Sequence, residues 1–163
     1  MKKILFILTM VCVGGMIAMS CNRENDEGSG STGSKTTIQY KMLDTYLFGN
    51  QTVQISPCFH YNLKYVDANG QTVELNNVSA PWALPAFEVK SPFTAKIEGT
   101  IIYNENELPD GPIYFGAAPK IVNVGTTVRY GDDITGYFET KAKFLEFIAT
   151  HPDRLNFKVE HTF

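Results

Sequence analysis

The chain has 163 residues, of which 44% are hydrophobic and 12% aromatic, with 14 basic and 17 acidic side chains. This length suits one domain with a single core. Without its first 20 residues the chain keeps 12 basic and 17 acidic side chains, and the basic ones form no cluster. A weakly acidic chain of this kind argues against nucleic acid as a partner.

The first 20 residues have the layout of a secretory signal. Lys2 and Lys3 give a positive start, Ile4–Val13 is an uncharged apolar run, and Gly14–Ser20 is small and flexible. The apolar run is shorter than the ~20 residues that a membrane-spanning helix needs. We therefore predict a signal peptide over residues 1–20.

The end of this segment, Ala18-Met19-Ser20-Cys21, resembles the lipobox of bacterial lipoproteins, with Ala18 where Leu is usual. The resemblance implies that Cys21 is acylated, palmitate included, and becomes the first residue of the mature chain. The membrane is then a partner through the lipid anchor, and stable anchoring needs more than one acyl chain. An ordinary cleaved signal peptide is the alternative interpretation.

The residues after Cys21 bear on location. Asn22 is not the Asp that resembles an inner-membrane retention signal in many Gram-negative bacteria. Glu24, Asp26 and Glu27 resemble the export signal of Bacteroidota surface lipoproteins, with a solvated linker start as the alternative. We expect an outer-membrane location, with the domain at the cell surface or on the periplasmic face.

The domain boundaries follow from composition. Gly28–Ser34 is a flexible Gly/Ser linker. We predict a lipidated Cys and tether over residues 21–35 and a single domain over residues 36–163. Cys58 is the only cysteine of that domain, so it has no intramolecular disulfide partner there. We interpret Cys58 as a small buried hydrophobe, with a reactive thiol as the alternative.

The domain begins with short strands. Apolar residues alternate with polar ones over 36–43, which predicts the first strand. Gly49-Asn50 is a turn signal, and a short strand is expected near residues 53–55.

The segment Phe59–Leu75 predicts a hairpin with strict alternation of apolar and polar residues. Asp67 and Gly70 fit a three-residue loop, Ala68–Gly70, in which a type I turn is followed by a left-handed residue. This loop fixes the register. The expected pairs are Tyr65 with Val73 and Leu63 with Leu75.

A loop is expected over 76–85 and a short strand at Phe87–Val89. A long strand follows over Phe93–Tyr103, and Gly99 in its interior indicates a bulge or a close backbone approach. Three further short strands, separated by Pro119 and Gly125, are expected at Ile113–Phe115, Ile121–Val124 and Thr127–Tyr130.

The C-terminal region predicts a helix and a strand. Apolar residues recur at helical spacing over Glu139–Thr150, and His151-Pro152 ends the helix. Alternation over Leu155–Phe163 predicts a paired terminal strand. Many short strands indicate a sandwich or a barrel. The fold class we expect is mainly β, an Ig-like β-sandwich of about seven to nine short antiparallel strands with one helix (about 139–150) before the C-terminal strand.

The order of Tyr65-Val66-Asp67-Ala68-Asn69-Gly70, Pro81-Trp82 and the alternating strand Phe93–Gly99 resembles the extracytoplasmic domain of MmpS-type proteins and other small Ig-like lipoprotein domains. The resemblance covers about Ile38–Tyr103 and implies a small β-sandwich. MmpS proteins assist lipid or siderophore export beside a transporter and are held by a transmembrane helix, whereas this chain has a lipobox. As a whole the chain resembles small lipoproteins of Bacteroidota.

Chemistry-bearing motifs are scarce. His60, His151 and His161 have no metal-ligand spacing, and no HExxH, CxxC or Gly-x-Ser-x-Gly motif occurs. We interpret Asp132-Asp133 as a solvated acidic pair in a turn, with a Ca²⁺ site completed by Asp110 or loop carbonyls as the alternative. We expect no metal, no cofactor and no enzymatic activity. An enzyme would need a deep pocket holding His60, Cys58 or His161.

Three aromatic residues are candidates for ligand contact: Trp82, Tyr114 and Tyr137. We interpret Trp82 as a cover on one end of the core, with a stacking platform for a sugar or peptide as the alternative. Tyr46 is expected to be exposed as well. We expect a non-enzymatic binding or accessory module for a glycan, a peptide or an envelope protein. The alternative is an adhesive, fimbrial-type subunit that assembles by addition of the strand Asn156–Phe163.

Overall fold

The computed structural model describes residues 33–163. The predicted signal peptide (1–20), Cys21 and the tether up to residue 32 lie outside the described residues. Strands make up 56% of the described part, and every strand pair is antiparallel. The strands are β1 (Lys35–Leu43), β2 (Thr45–Phe48), β3 (Gln51–Gln54), β4 (Phe59–Val66), β5 (Thr72–Val78), β6 (Trp82–Ala83), β7 (Phe87–Lys90), β8 (Thr94–Tyr103), β9 (Ile113–Asn123), β10 (Arg129–Tyr130), β11 (Ile134–Phe138) and β12 (Asn156–Thr162).

One α-helix, α1 (Lys141–Thr150), precedes the last strand, and 3₁₀ turns span Glu105–Glu107 and Pro152–Leu155. The expected mainly β class with a single helix before the C-terminal strand is confirmed for the described residues. The strands number 12 rather than seven to nine, because several are segments of only two to four residues.

The strands form two sheets that pack face to face as a sandwich. One sheet has the order β12-β8-β4-β5. In the other, β9 and β1 are neighbours. The outer edge of β9 pairs with β10 and β11 in turn, and the outer edge of β1 pairs with β6 and β7. The strands β2 and β3 form a separate hairpin.

The β4–β5 hairpin has the predicted register, with Tyr65 opposite Val73 and Leu63 opposite Leu75. The loop is fixed by Asp67, whose Oδ1 accepts hydrogen bonds from the backbone N–H of Asn69 and Gln71 at 2.9 and 2.8 Å. Gly70 follows with φ +76°, a conformation that glycine adopts without steric cost. The strand β5 then continues to Val78, into the segment expected to be a loop.

Gly99 lies where the backbones of two strands approach closely. A Cβ atom at residue 99 would lie 2.2 Å from the carbonyl oxygen of Asn62 and 2.8 Å from the ring of Phe157. The pairing of β8 with both neighbours runs through Gly99 without a register shift. Of the two predicted explanations, the close approach is therefore the one that the structure shows.

The prediction of two short strands separated by Pro119 was wrong. β9 is continuous over 11 residues, with Pro119 opposite Met42. β11 pairs with β9 only up to Ala117, and the pairing of β9 with β10 starts at Ile121. Between these points the outer edge of β9 has no strand partner, and the Pro119 carbonyl points there, toward Gly131. A proline is tolerated because its missing N–H faces this gap. Only the two-residue β10 remains of the expected third strand.

The core lies between the sheets and continues under α1. Phe144 and Ile148 of α1 are buried against the same cluster as Phe59 and Phe115. Tyr61 is fully buried and donates a hydrogen bond of 2.9 Å to the carbonyl of Gly116. The helix therefore covers one open end of the sandwich.

α1 begins two residues later than predicted. The hydroxyl of Thr140 accepts a hydrogen bond from the N–H of Lys143 and caps the helix at its start. His151 and Pro152 end it as predicted. Within residues 33–163, no helix has the length and apolar character that crossing a membrane requires.

Candidate functional site

Tyr114 and Tyr137 lie side by side on the outer face of the sandwich. Tyr114 of β9 pairs directly with Tyr137 of β11, and their ring centroids are 5.3 Å apart. The neighbours Ile113 and Phe115 are buried in the core, so alternation along β9 turns Tyr114 outward. Tyr137 keeps 42% of its surface exposed. The structure thus brings together two of the three candidate contact residues.

A third aromatic side chain joins them from the β2–β3 hairpin. The ring centroid of Phe48 lies 6.4 Å from that of Tyr137, and Phe48 is 54% exposed. Phe48 directly precedes the two-residue loop Gly49–Asn50, in which Gly49 has φ +59°. We name Phe48, Tyr114 and Tyr137 the aromatic cluster. All three side chains are partly or largely open to solvent.

Tyr46 holds the hairpin in this position. It was expected to be exposed, and that expectation was wrong, because only 3% of Tyr46 is accessible. Its ring packs into the core, and its hydroxyl donates a long hydrogen bond of 3.4 Å to the carbonyl of Gly136, the residue before Tyr137. Burial raises the pKa of Tyr46 above its ordinary value, and the neighbouring Tyr114 adds to the rise.

A groove of about 500 Å³ runs beside the aromatic cluster and shares Tyr114 with it. We name it the polar groove; it is lined by residues 52–57 and Tyr114. Its exposed or partly exposed polar side chains are those of Thr52, Gln54 and Ser56. The segment is fixed to β9 because the N–H of Ser56 donates to the Tyr114 carbonyl at 2.8 Å, and the Ser56 hydroxyl accepts from the Tyr114 N–H at 2.9 Å.

The lining of the polar groove carries no charged side chain. Asp44 lies outside the lining and accepts a long hydrogen bond of 3.5 Å from Gln54 Nε2. The ion pair between Lys143 and Glu139 lies close to Tyr137 and is neutral as a pair. Aromatic faces and uncharged hydrogen-bonding groups therefore meet at one end of the domain.

Trp82 is not part of this surface. It pairs with Met42, and directly paired residues project to the same face of a sheet, so Trp82 faces the core together with the buried Met42. Its ring lies 6.1 Å from that of Tyr65, and it is partly exposed. The structure places Trp82 on the core side and the two tyrosines on the opposite face.

The three histidines lie in separate places. His60 Nδ1 is 3.1 Å from the hydroxyl of Ser79, His151 stacks on Phe147, and His161 stacks on Tyr130 with ring centroids 3.5 Å apart. Burial raises the pKa of the Cys58 thiol, which disfavours the thiolate. The structure does not bring Cys58, His60 and His161 together in one hydrogen-bonded arrangement.

One residue of the candidate Ca²⁺ site, Asp133, forms an ion pair with Lys120. Asp133 accepts a hydrogen bond of 2.6 Å from Lys120 Nζ, which also donates to the carbonyl of Gly131. Within the described residues no three His, Cys, Asp or Glu side chains come together as metal ligands.

A larger depression, of about 630 Å³, lies on the outer face of the β12-β8-β4-β5 sheet. Its charged side chains are engaged in ion pairs on the sheet surface, either between strands, as Lys64 with Glu74 at 2.7 Å, or along one strand, as Lys158 with Glu160 at 2.9 Å. Its two apolar side chains, Leu63 and Phe157, are buried on the core side of the sheet. This depression therefore lacks exposed aromatic surface, which distinguishes it from the polar groove.

The sequence alone did not indicate Phe48 or the groove residues Thr52, Gln54 and Ser56. A signal for Phe48 was available, since a large apolar residue directly before a Gly49-Asn50 turn stands at the tip of a hairpin and has little core to enter. The groove residues had no such signal, because their role depends on the distant strand β9.

No protein-family model, curated protein or solved structure matches this chain.

Proposed function

We propose that the protein is a lipid-anchored, non-enzymatic binding module of the cell envelope. The observation that supports it is the aromatic cluster, whose members Phe48 and Tyr137 are 54% and 42% exposed. Exposed aromatic side chains that are grouped, rather than scattered, are typical of interaction sites. Cys21 provides the anchor through the lipobox resemblance, and the outer membrane, at the surface or on the periplasmic face, is the proposed location.

The position of the cluster in the fold supports this role. The first strand of the domain, β1, begins at Lys35, where the predicted tether ends. β1 is nine residues long, so its two ends lie about 27 Å apart at ~3.4 Å per residue step. The β2–β3 hairpin follows the far end of β1, so the aromatic cluster lies at the end of the domain opposite the tether entry.

The alternative, an adhesive subunit that exchanges its last strand, requires β12 to leave the sheet. β12 pairs with β8 over seven residue pairs. Phe157 and Val159 of β12 are buried, with 6% and 7% of their surfaces accessible. Release of β12 would expose both and break the pairing, so the geometry favours the binding module over strand exchange.

The anchor is tested by membrane fractionation, and the orientation of the domain is tested by protease treatment of intact cells. We expect the wild-type protein to fractionate with the outer membrane and the Cys21→Ala variant to lose this association. Cys58→Ala is the matched control, because it removes the other cysteine of the mature chain and should leave anchoring unchanged. Digestion on intact cells indicates the cell surface, and protection until the outer membrane is opened indicates the periplasmic face. A Cys21→Ala protein that stays membrane-bound contradicts the proposed anchor.

The binding surface is tested by covalent footprinting of tyrosines in cells and in the purified mature protein. We expect Tyr137 to be modified more slowly in cells, because a bound ligand covers it. Tyr130, stacked on His161 outside the cluster, is the internal reference. Equal modification of Tyr137 in both samples contradicts a binding role for the aromatic cluster.

A further inference from the structure

The chemistry of the aromatic cluster and the polar groove together identifies a ligand class. We infer that this surface binds a neutral glycan chain, with sugar faces on the rings and sugar hydroxyls in the groove. The inference rests on the proposed function, because it names the ligand of the same site.

The aromatic cluster supplies the apolar half of such a site. Tyr137 contacts both other rings, with centroid separations of 5.3 Å to Tyr114 and 6.4 Å to Phe48. The faces of a pyranose ring carry C–H groups, and aromatic side chains offer a flat apolar surface with, for tyrosine, a hydroxyl at the edge. The ring pairs are tilted by 45° in both cases, so the cluster presents more than one ring surface.

The polar groove supplies the hydrogen-bonding half. Three lining side chains can each donate and accept hydrogen bonds, as sugar hydroxyls do. They are the hydroxyls of Thr52 and Ser56 and the amide of Gln54. Ser56 Oγ accepts from the Tyr114 N–H, so its hydroxyl is fixed in place and retains its own proton to donate. A volume of about 500 Å³ lies within the range of about 300–1,000 Å³ that ligand sites occupy.

The charges argue against an ionic ligand. No Lys or Arg lines the polar groove, so nothing there would balance a phosphate, sulfate or carboxylate. Asp44 beside Gln54 would repel an anion. A cationic ligand would find no carboxylate in the groove lining, since Asp44 lies beside it and accepts from Gln54, and Glu139 near Tyr137 is paired with Lys143.

The size of the surface argues against a large protein interface. A stable protein interface covers about 800 Å² on each partner and has a well-packed apolar centre. The aromatic cluster has three rings, one of them only partly exposed, and the adjoining groove is polar. A narrow chain that stacks on a few rings and hydrogen-bonds beside them fits this surface better.

The experiment uses the mature lipidated protein in detergent micelles and soluble neutral polysaccharides as probes: dextran, starch, yeast mannan and laminarin. Alginate and polygalacturonate serve as anionic controls. We expect retardation in affinity gels by at least one neutral probe, unchanged by 0.5 M NaCl, and none by the anionic ones. Tyr137→Ala should weaken that binding at least tenfold, whereas Tyr137→Phe, which keeps the ring, should change it less than threefold.

Val128→Ala is the matched control variant. Val128 is an exposed apolar residue, 45% accessible, but it lies beside Asn123 at the opposite end of β9 from Tyr114, so its removal should leave glycan binding unchanged. Circular dichroism checks that each variant is folded. Binding that survives Tyr137→Ala, or that disappears in salt, overturns the inference.

A second measurement separates failure of the inference from failure of the proposed function. An envelope extract is first treated with either proteinase K or periodate, which cleaves the vicinal diols of sugars. The treated extract is then added to the purified protein. Protection of Tyr137 that survives proteinase K and is lost after periodate supports a glycan. Protection lost only with proteinase K identifies a protein ligand, which overturns the glycan inference and retains the binding module. If Tyr137 is not protected in cells and the protein binds none of the probes, both the glycan inference and the proposed function are contradicted.

Discussion

Tyr114 and Tyr137 stand directly opposite each other on β9 and β11, with ring centroids 5.3 Å apart on the solvent side of the sandwich. Cross-strand aromatic pairs stabilise a sheet. This pair lies at the surface, beside Phe48 and the polar groove. The same two residues therefore hold the β9–β11 edge together and form the centre of the proposed binding site.

The pair should show measurable coupling in stability. We expect Tyr114→Ala and Tyr137→Ala to lower the free energy of unfolding, with an interaction energy of about 0.2–1 kcal/mol between them in a double-mutant cycle. Urea unfolding of the two single variants and the double variant measures it. Additive effects would mean that the two rings do not interact in solution.

Gly99 is only partly buried, but its close approach to another strand predicts a large stability effect. A Cβ atom at this position would lie 2.2 Å from the backbone carbonyl oxygen of Asn62, and the backbone cannot move as a side-chain end can. We expect Gly99→Ala to destabilise the domain by about 1–3 kcal/mol or more, as overpacked sites do. Gly111→Ala is the control, because its Cβ would meet no atom within 4 Å and its φ is not positive. Similar thermal midpoints for the two variants would refute the close approach.

Strand periodicity and turn chemistry accounted for most of the sandwich. The register of β4 with β5 followed from Asp67 and Gly70, because a three-residue loop leaves only one pairing that keeps the apolar residues on one face. Pro119 was misleading, because a proline within a strand is tolerated when its missing N–H meets an unpaired edge. That edge exists only because β10 and β11 share β9 between them, a tertiary fact that residues near Pro119 do not encode.

The candidate site was predictable only in part. Tyr114 and Tyr137 were chosen from the sequence, and the structure places them together. Trp82 faces the core side because it pairs with the buried Met42, a contact between segments 40 residues apart. The exposure predicted for Tyr46 was wrong for a local reason. Its strand has only four residues, and so short a pattern does not show which face is buried.

The Asp67 turn should contribute to stability through its carboxylate. Asp67→Ala leaves the N–H groups of Asn69 and Gln71 without their acceptor, and we expect a loss of about 1–2 kcal/mol for two such hydrogen bonds. Asp67→Asn keeps an acceptor oxygen and should recover most of the loss. Asp132→Ala, at an exposed position outside this turn, is the surface control. Chemical unfolding of the four proteins is the measurement, and an Asp67→Ala protein as stable as the wild type would contradict this role.

Tyr40 predicts how stability changes at alkaline pH. Burial raises the pKa of Tyr40 to about 12, against an opposing hydrogen bond that its hydroxyl accepts from the N–H of Lys96 at 3.1 Å. In the unfolded chain the same phenol loses its proton near the ordinary tyrosine pKa of about 10. Between these two pH values the folded state binds more protons than the unfolded state, so the free energy of unfolding falls as pH rises. Below pH 10 this contribution is constant.

Tyr40→Phe separates this effect from general alkaline denaturation. The variant lacks the ionisable group and also the 2.8 Å hydrogen bond to the Val66 carbonyl, so it should be less stable at neutral pH. We expect its stability to decline less steeply than that of the wild type between pH 10 and 12, measured by urea unfolding at each pH. Burial also raises the pKa of Tyr61, so part of the decline should remain in the variant. Identical slopes for the two proteins would show that Tyr40 does not titrate with a raised pKa in the folded state.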